Sequence, residues 1–436
     1  MEILIENVRC FQGEHKVPLS PITLLVGENS SGKSTFLAIL SALAMSTDFP
    51  FRPNYNSPPY DLGNYENIAS RKSVKGKPAA SFRIGFQMPP THKEGERSAV
   101  ATYRGHLGQV YLSEFRVSGL DGTMSLMVEK RQAKGSFVYA GTKAVAQKKF
   151  PFSYKILDRE EANDTWGFYS LLIGDMMRSS KSELREAASE LARELFGIIR
   201  GGVFPIQNVL SIAPIRTKPR RTYDQFNEEF NPEGSHIPLK LARILESDET
   251  EEHALRENVK TSLERFGQES GLFDSVVIER LGSDMSAPFR VAVDLDGLAL
   301  NLIDVGYGVS QSLPIIVQSL ISKRGGMLLM QQPEVHLHPK AQAALGSFFA
   351  SLAKTTQVQF VIETHSDYLV DRVRQEVAKG TIKPEVVTIL FFEKKNGHSK
   401  IHPISLDKEG NVVGAPAGYR QFFLEEEMNL LTRGES

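Results

Sequence analysis

The chain has 436 residues, 41% hydrophobic and 24% charged, a globular mixture long enough for two domains or one large α/β core with an insertion. Its formal net charge of −1 gives no global attraction for nucleic acid, although a local basic groove is compatible with it. Cys10 is the one cysteine, which excludes an intrachain disulfide framework. No apolar run reaches the roughly eighteen residues of a spanning helix and no signal peptide opens the chain, so a cytoplasmic protein without membrane contact is expected.

In chain order, Ile3, Ile5 and Val8 alternate with polar residues and predict a first hairpin within residues 1–20. Ile22–Val26 is a short buried strand. The stretch GENSSGKST (27–35) follows and runs into FLAILSALAM, a helix. The spacing GxxxxGK[ST] is complete from Gly27 to Ser34. Such a loop turns backbone N–H groups inward around phosphate oxygens, and the helix N-terminus adds its dipole. The nucleotide-binding set is therefore Asn29, Ser30, Ser31, Gly32, Lys33, Ser34 and Thr35. Lys33 should reach the β- and γ-phosphates, and Ser34 should offer its hydroxyl to Mg²⁺. A strand, turn and helix with incidental glycines is the bland alternative. The full spacing in that context argues against it.

Residues 48–80 are rich in Pro, Asn, Ser and Gly and read as irregular loop. Alternating stretches at 81–86, 108–119 and 123–130 suggest an antiparallel sheet elaborating the core. Residues 180–200 carry apolar positions at helical spacing, and 236–267 give two or three more helices. Between them, 211–224 gathers Arg216, Lys218, Arg220 and Arg221. Contact with nucleic-acid phosphates, nucleotide or subunit-interface work, and a solvated surface all remain open for that basic stretch. The expected division is an N-terminal head portion (1–160), a mainly helical insertion (161–275) and a C-terminal head portion (276–436).

Residues 291–300, VAVDLDGLAL, alternate like a strand, and the chain then passes Gly306 and Gly308 into an apolar helix over 310–322. The strand MLLM (327–330) stops against Gln331 and Gln332. A further buried strand, 357–363, ends in Glu363 with His365 just beyond. A histidine at the end of a core strand can donate a hydrogen bond to a γ-phosphate or an attacking water. Glu363 could orient it or serve as a core-edge carboxylate. Glu334, His336 and His338 also alternate, which raises a metal site, although zinc needs a further ligand and none is evident.

Taken together, GENSSGKST (27–35), GYGVSQSLPIIV (306–317), MLLMQQPEVHLHPKAQ (327–342) and FVIETHSDYLV (360–370) resemble the ABC-type ATPases of the RecF/SMC/OLD lineage, specifically the compact OLD-like group. The resemblance implies an α/β fold: an ABC-type ATPase head with a central P-loop sheet, an antiparallel β elaboration and an inserted helical lobe. It implies ATP and Mg²⁺ as cofactors, with two heads sandwiching two ATP molecules and a possible higher oligomer. Gly308 falls on the family's signature glycine. Gly306 replaces the serine of many relatives, so Ser310 is the candidate to face the opposite γ-phosphate. Gln331 falls on the Walker B position that holds Mg²⁺, Gln332 on the catalytic glutamate, His365 on the switch histidine, and Glu334 on the turn that contacts the neighbouring head. No glutamine stands at the family's Q-loop. Long heptad arms are missing, and residues 371–436 are too few for the Toprim domain of OLD nucleases. The implied function is an ATP-driven switch or sensor controlling a separate effector, of the kind found in bacterial anti-phage systems. A DNA-binding repair or recombination ATPase and a pseudo-ATPase scaffold are the alternatives.

The two glutamines bear on turnover. An amide is isosteric with glutamate but takes no proton from water, and its neutral oxygen is a poor partner for Mg²⁺. Relatives carry Glu-Glu-Pro-Glu or Glu-Gln-Pro-Glu here, so one Glu→Gln change produces Gln331. It is either an introduced substitution that blocks hydrolysis or a natural variant in which Glu334 or His365 assumes more of the work. Binding of ATP with impaired hydrolysis is expected.

Overall fold

A computed structural model describes residues 1–44, 49–50, 53–71, 76–90, 96–119, 122–129, 132–139, 148–155, 208–224, 229–247, 253–284 and 286–420, with isolated positions between 174 and 206. Those residues fall into two units: Met1–Leu19, Gly27–Val209 and Phe392–Pro403 form the first, and Ser20–Val26, Leu210–Phe391 and Ile404–Ser436 the second.

The first unit is built on an eight-stranded antiparallel sheet in the order β2-β1-β4-β5-β6-β7-β8-β9. Its strands are β1 (Glu2–Val8), β2 (Phe11–Pro18), β4 (Phe82–Met88), β5 (Arg97–His106), β6 (Gln109–Gly119), β7 (Gly122–Glu129), β8 (Gln132–Tyr139) and β9 (Lys148–Lys155). β1 and β2 form the expected hairpin, with Val8 opposite Phe11. The expected strands at 81–86, 108–119 and 123–130 are β4, β6 and β7. β5 went unforeseen because its buried positions, Ala99, Ala101 and Tyr103, include two small alanines that give weak alternation. Tyr55, Tyr65, Phe82 and Tyr103 pack as an aromatic group over this sheet. Within the loop-like stretch 48–80 one helical turn, α2 (Tyr65–Ile68), is capped by the Asn64 side chain. Helix α1 (Lys33–Ala44) buries ten of its twelve residues, which explains why its sequence is apolar on every side.

The second unit carries a seven-stranded sheet in the order β10-β14-β15-β3-β16-β17-β18. These strands are β10 (Val209–Ile212), β14 (Met327–Gln331), β15 (Gln359–Glu363), β3 (Ile22–Gly27), β16 (Val387–Lys395), β17 (His398–Leu406) and β18 (Val412–Val413). β14, β15 and β3 run parallel, and Gln331 is in register with Glu363 and Glu363 with Leu25. Their core positions are buried on both faces, as their continuous apolar sequences require. A three-stranded sheet joins β11 (Ser275–Arg280), β12 (Phe289–Leu295) and β13 (Leu298–Asn301). The stretch read as one strand over 291–300 is thus a hairpin. Asp296 and Gly297 both take positive φ (54° and 79°), the conformation an Asp-Gly turn between two strands favours.

The helices of this unit are α3 (Ile237–Glu246), α4 (His253–Ser270), α5 (Tyr307–Ile321), α6 (Pro339–Thr356) and α7 (Asp367–Ala378). α3 and α4 are the helices expected from 236–267, whereas the helix expected over 180–200 lies outside the described residues except at isolated positions. α5 begins three residues before the expected start and is buried at every position from Val309 to Leu320. Among the described residues no helix is long and apolar enough to cross a membrane.

His236, at the N-cap of α3, is buried and holds two elements together. Its Nδ1 accepts the Asn231 N–H at 3.2 Å, so its Nε2 is the protonated nitrogen and donates to Gln318 Oε1 at 2.9 Å. Burial lowers its pKa below the ordinary 6.5, against the smaller opposing effect of the Gln318 bond. The folded state therefore binds this proton more weakly than the unfolded chain. Stability from this group is complete above the ordinary value and is lost as pH falls from there through the lowered folded value. Melting curves between about pH 7.5 and about pH 5.5 should show a drop in midpoint that is smaller in His236→Gln. An equal drop in both proteins would assign the acid sensitivity to other groups.

Candidate functional site

In the first unit the loop after β3 is shaped by two glycines with no room for a side chain. Gly27 has φ of 136°, and a Cβ there would lie 2.4 Å from the Phe392 carbonyl oxygen. Gly32 has φ of 100°, and its Cβ would fall 2.5 Å from Cys10 Sγ and 2.6 Å from Phe11 Cζ. The Phe11 and Phe36 rings flank Phe392, with centroids 6.1 and 5.9 Å away, and this apolar floor fixes the height of the loop. Ser31 is buried and donates to the Glu28 carbonyl at 2.7 Å, closing the loop on itself. Lys33 is only 3% exposed, and its Nζ donates to the carbonyls of Gly27 at 2.9 Å and Glu28 at 2.7 Å. A compact positive charge is thereby held inside the turn at the start of α1. Asn29, Ser30 and Ser34 are exposed, and Thr35 is buried in the first turn. Helix N–H groups and a buried ammonium in such a loop are the chemistry that favours a phosphorylated ligand.

In the second unit the parallel register sets Gln331 and Glu363 side by side at the carboxyl ends of their strands. Gln332 follows in a left-handed conformation, φ 44°. Its N–H donates to the Glu363 carbonyl at 2.7 Å, and its own carbonyl accepts from Arg216 Nη2 at 3.1 Å. Glu334 is 6% exposed, and its Oε1 accepts the His365 N–H at 2.7 Å. Burial raises its carboxyl above the usual range, opposed in part by that N–H and by the Arg216 charge. Arg216 is 2% exposed, and burial lowers its guanidinium pKa to about 10 against the attraction of Glu334. The His365 side chain is exposed beyond β15, while the Thr364 N–H bonds to the Leu25 carbonyl at 3.1 Å.

The turn after Gln332 packs on the start of α5. A Cβ at Gly308 would lie 3.0 Å from the His336 carbonyl oxygen, and the Tyr307 and His336 rings meet edge to face at 4.8 Å. Ser310 is buried, with its hydroxyl donating to the Tyr307 carbonyl at 2.9 Å. His338 caps α6, its Nδ1 accepting from the Lys340 N–H. Glu334, His336 and His338 thus have three separate surroundings, and among the described residues no group of three His, Cys, Asp or Glu could hold a metal ion.

Residues 1–88 and 172–370, well over half of the chain, match the family model described as the AAA ATPase domain. The chain belongs to the AAA ATPase domain family. Over 384 residues this ATPase-family chain is 21% identical to an OLD nuclease of Thermus scotoductus, a match covering 86% of this chain and 60% of that protein. It therefore spans 60% of the length of that relative. Among solved structures it is similar to an SMC head bound to the C-winged helix domain of ScpA, with 13% identity, 93% of this chain and 98% of that one covered, and a TM-score of 0.47. The SMC head domain from Thermotoga maritima follows with 12% identity, 92% and 97% coverage, and a TM-score of 0.40. Overlays at those scores decide nothing about the fold. The α/β head is assigned from the family match and from the parallel strands around β3.

Arg216 was absent from the sequence-based site because it lies in a basic run that reads as surface. Its four members separate: Arg216 is buried, Arg221 pairs with Asp304 at 2.9 Å, and Lys218 and Arg220 are exposed. The available signal was position, since Arg216 follows the apolar run SIAPI at the end of β10.

Gly32→Ala should remove nucleotide binding by the ATPase loop, because the new methyl needs both a strained φ and space held by Cys10 and Phe11. A stability loss of about 1–3 kcal/mol is expected from backbone strain alone. Titration with a fluorescent ATP analogue and a denaturant melt measure the two effects. Unchanged affinity would show that the loop tolerates a side chain there.

Proposed function

We propose that this chain is an ATP-binding switch of the ABC-type ATPase class, whose nucleotide state controls a separate effector. The single observation that carries the reading is the glycine-shaped loop with buried Lys33, which continues directly from β3 into α1. Lys33 and the loop N–H groups would bind the β- and γ-phosphates. Ser34 and Gln331 would hold Mg²⁺, which neutralises phosphate charge during transfer. The donor set fits that ion only when the nucleotide itself supplies most of the negative charge, since both protein oxygens are neutral. Gln332 would orient water without accepting its proton, and the exposed His365 ring would donate to the γ-phosphate or the attacking water.

Two heads would close over two ATP molecules, with Gly308 at the start of α5 facing the partner's nucleotide; Ser310, buried with its hydroxyl on the Tyr307 carbonyl, would have to turn outward to join it. Opening and closing of that pair would remodel the surface seen by the effector. By the resemblance of its motifs to the compact OLD-like group, this switch would serve bacterial anti-phage defence. Direct action on double-stranded DNA is the second reading. It is less favoured because, of the four basic residues from 216 to 221, Arg216 is buried and Arg221 is engaged by Asp304.

With Gln331 in place, ATP should bind tightly and turn over slowly. Gln331→Glu should raise phosphate release at saturating ATP by roughly 100-fold, the scale of a missing acid–base or charge partner, with little change in ATP affinity. Equal, vigorous rates in both proteins would overturn the impairment. Addition of double-stranded DNA should leave the Gln331→Glu rate unchanged; stimulation that weakens steeply with salt would favour the DNA reading.

A further inference from the structure

The second unit contains a buried guanidinium whose hydrogen-bonding capacity is only partly used. Among the described residues Arg216 heads the largest fully buried side chains. Its Nη2 donates to the Gln332 carbonyl at 3.1 Å, while Nε and Nη1 have no partner. Glu334 is the first of the charges that attract it. A guanidinium buried only to stabilise the fold would be expected to have its donors satisfied, because each unmet donor costs desolvation energy. Unmet donors on a side chain bonded to the residue aligned with the catalytic glutamate mark a group retained for function.

We propose that Arg216 is a positioning residue for nucleotide hydrolysis, clamping the Gln332–Glu334 turn so that residues 331 and 332 are presented in one fixed geometry. The proposal rests on the ATPase reading above and deepens it. Gln332 is anchored at both backbone groups, its N–H by Glu363 and its carbonyl by Arg216. Its left-handed φ of 44° is strained for a residue with a side chain, so loss of one anchor releases the peptide toward ordinary geometry. Glu334 holds the His365 N–H at 2.7 Å, and that bond is the largest offset to its burial, with the Arg216 charge a smaller one. One side chain thereby ties together the strand ends that carry Gln331 and Glu363 and the peptide that presents His365.

The test uses the full chain in its Gln331→Glu form, with Arg216→Lys and Arg216→Met added singly. ATP-competent sites are counted by stoichiometric titration with a fluorescent ATP analogue, and kcat is expressed per competent site. Both variants should keep KM and ATP affinity. Arg216→Met should lower kcat per site by about 100-fold, the scale of a misplaced reacting group. Arg216→Lys keeps the charge and loses the planar fork, and should recover only part of that loss. If Arg216→Met fails to fold because Glu334 is left uncompensated, Arg216→Lys carries the test by itself. A lowered melting temperature with kcat per competent site unchanged would reduce Arg216 to a structural residue and overturn the proposal. An inert Gln331→Glu form would overturn the ATPase reading and the positioning role with it, whereas an active form indifferent to both Arg216 variants overturns the positioning role alone.

Discussion

Gln332 is held between two strands' worth of structure by a pair of hydrogen bonds, its N–H on the Glu363 carbonyl and its carbonyl on the Arg216 guanidinium. Left-handed backbone costs a residue with a side chain about 1–2 kcal/mol. A hydrogen bond from a charged group contributes about 1.5–3 kcal/mol and can hold it there. The Pro333–His338 turn follows from that constraint. Glu334 turns inward to the His365 N–H, and the His336 carbonyl comes so near α5 that a side chain at 308 would press on it at 3.0 Å. Gln332, Glu334, Gly308 and the His365 peptide are therefore tied into one packed turn.

The phosphate loop obeys a separate constraint of the same kind. Gly27 and Gly32 are pressed against Phe392, Cys10 and Phe11, and the loop's depth is set by that apolar floor. Lys33 lies within the turn, bonded to two carbonyls of the loop itself. Each half of the machinery is thus pre-shaped within its own unit by close packing against glycine.

Much of this could be read before the fold was known. The spacing from Gly27 to Ser34 specifies a phosphate loop because few other structures need two glycines, a lysine and a hydroxyl in that order. The parallel strands β3, β14 and β15 announced themselves as short apolar runs. What escaped has physical reasons. β5 presents alanines, which carry little periodic signal. The Asp-Gly pair at 296–297 turned an alternating run into a hairpin, since continuous alternation looks the same on either side of a two-residue turn. Glu334, His336 and His338 alternate as though on one extended face, but the positive φ of His336 (68°) separates them.

By itself the sequence determined the glycine-bounded loop with its lysine, the apolar strands around it, and the pair of amides at 331 and 332. These are local properties, set by residue type and by spacing along a few turns of chain. Tertiary structure alone decided the register that aligns Gln331 with Glu363 and Leu25, and the burial of Arg216 against a carbonyl 116 positions away. A charge in a basic run looks the same on the surface as in the core. Only the packing around it removes the water and turns it into a clamp.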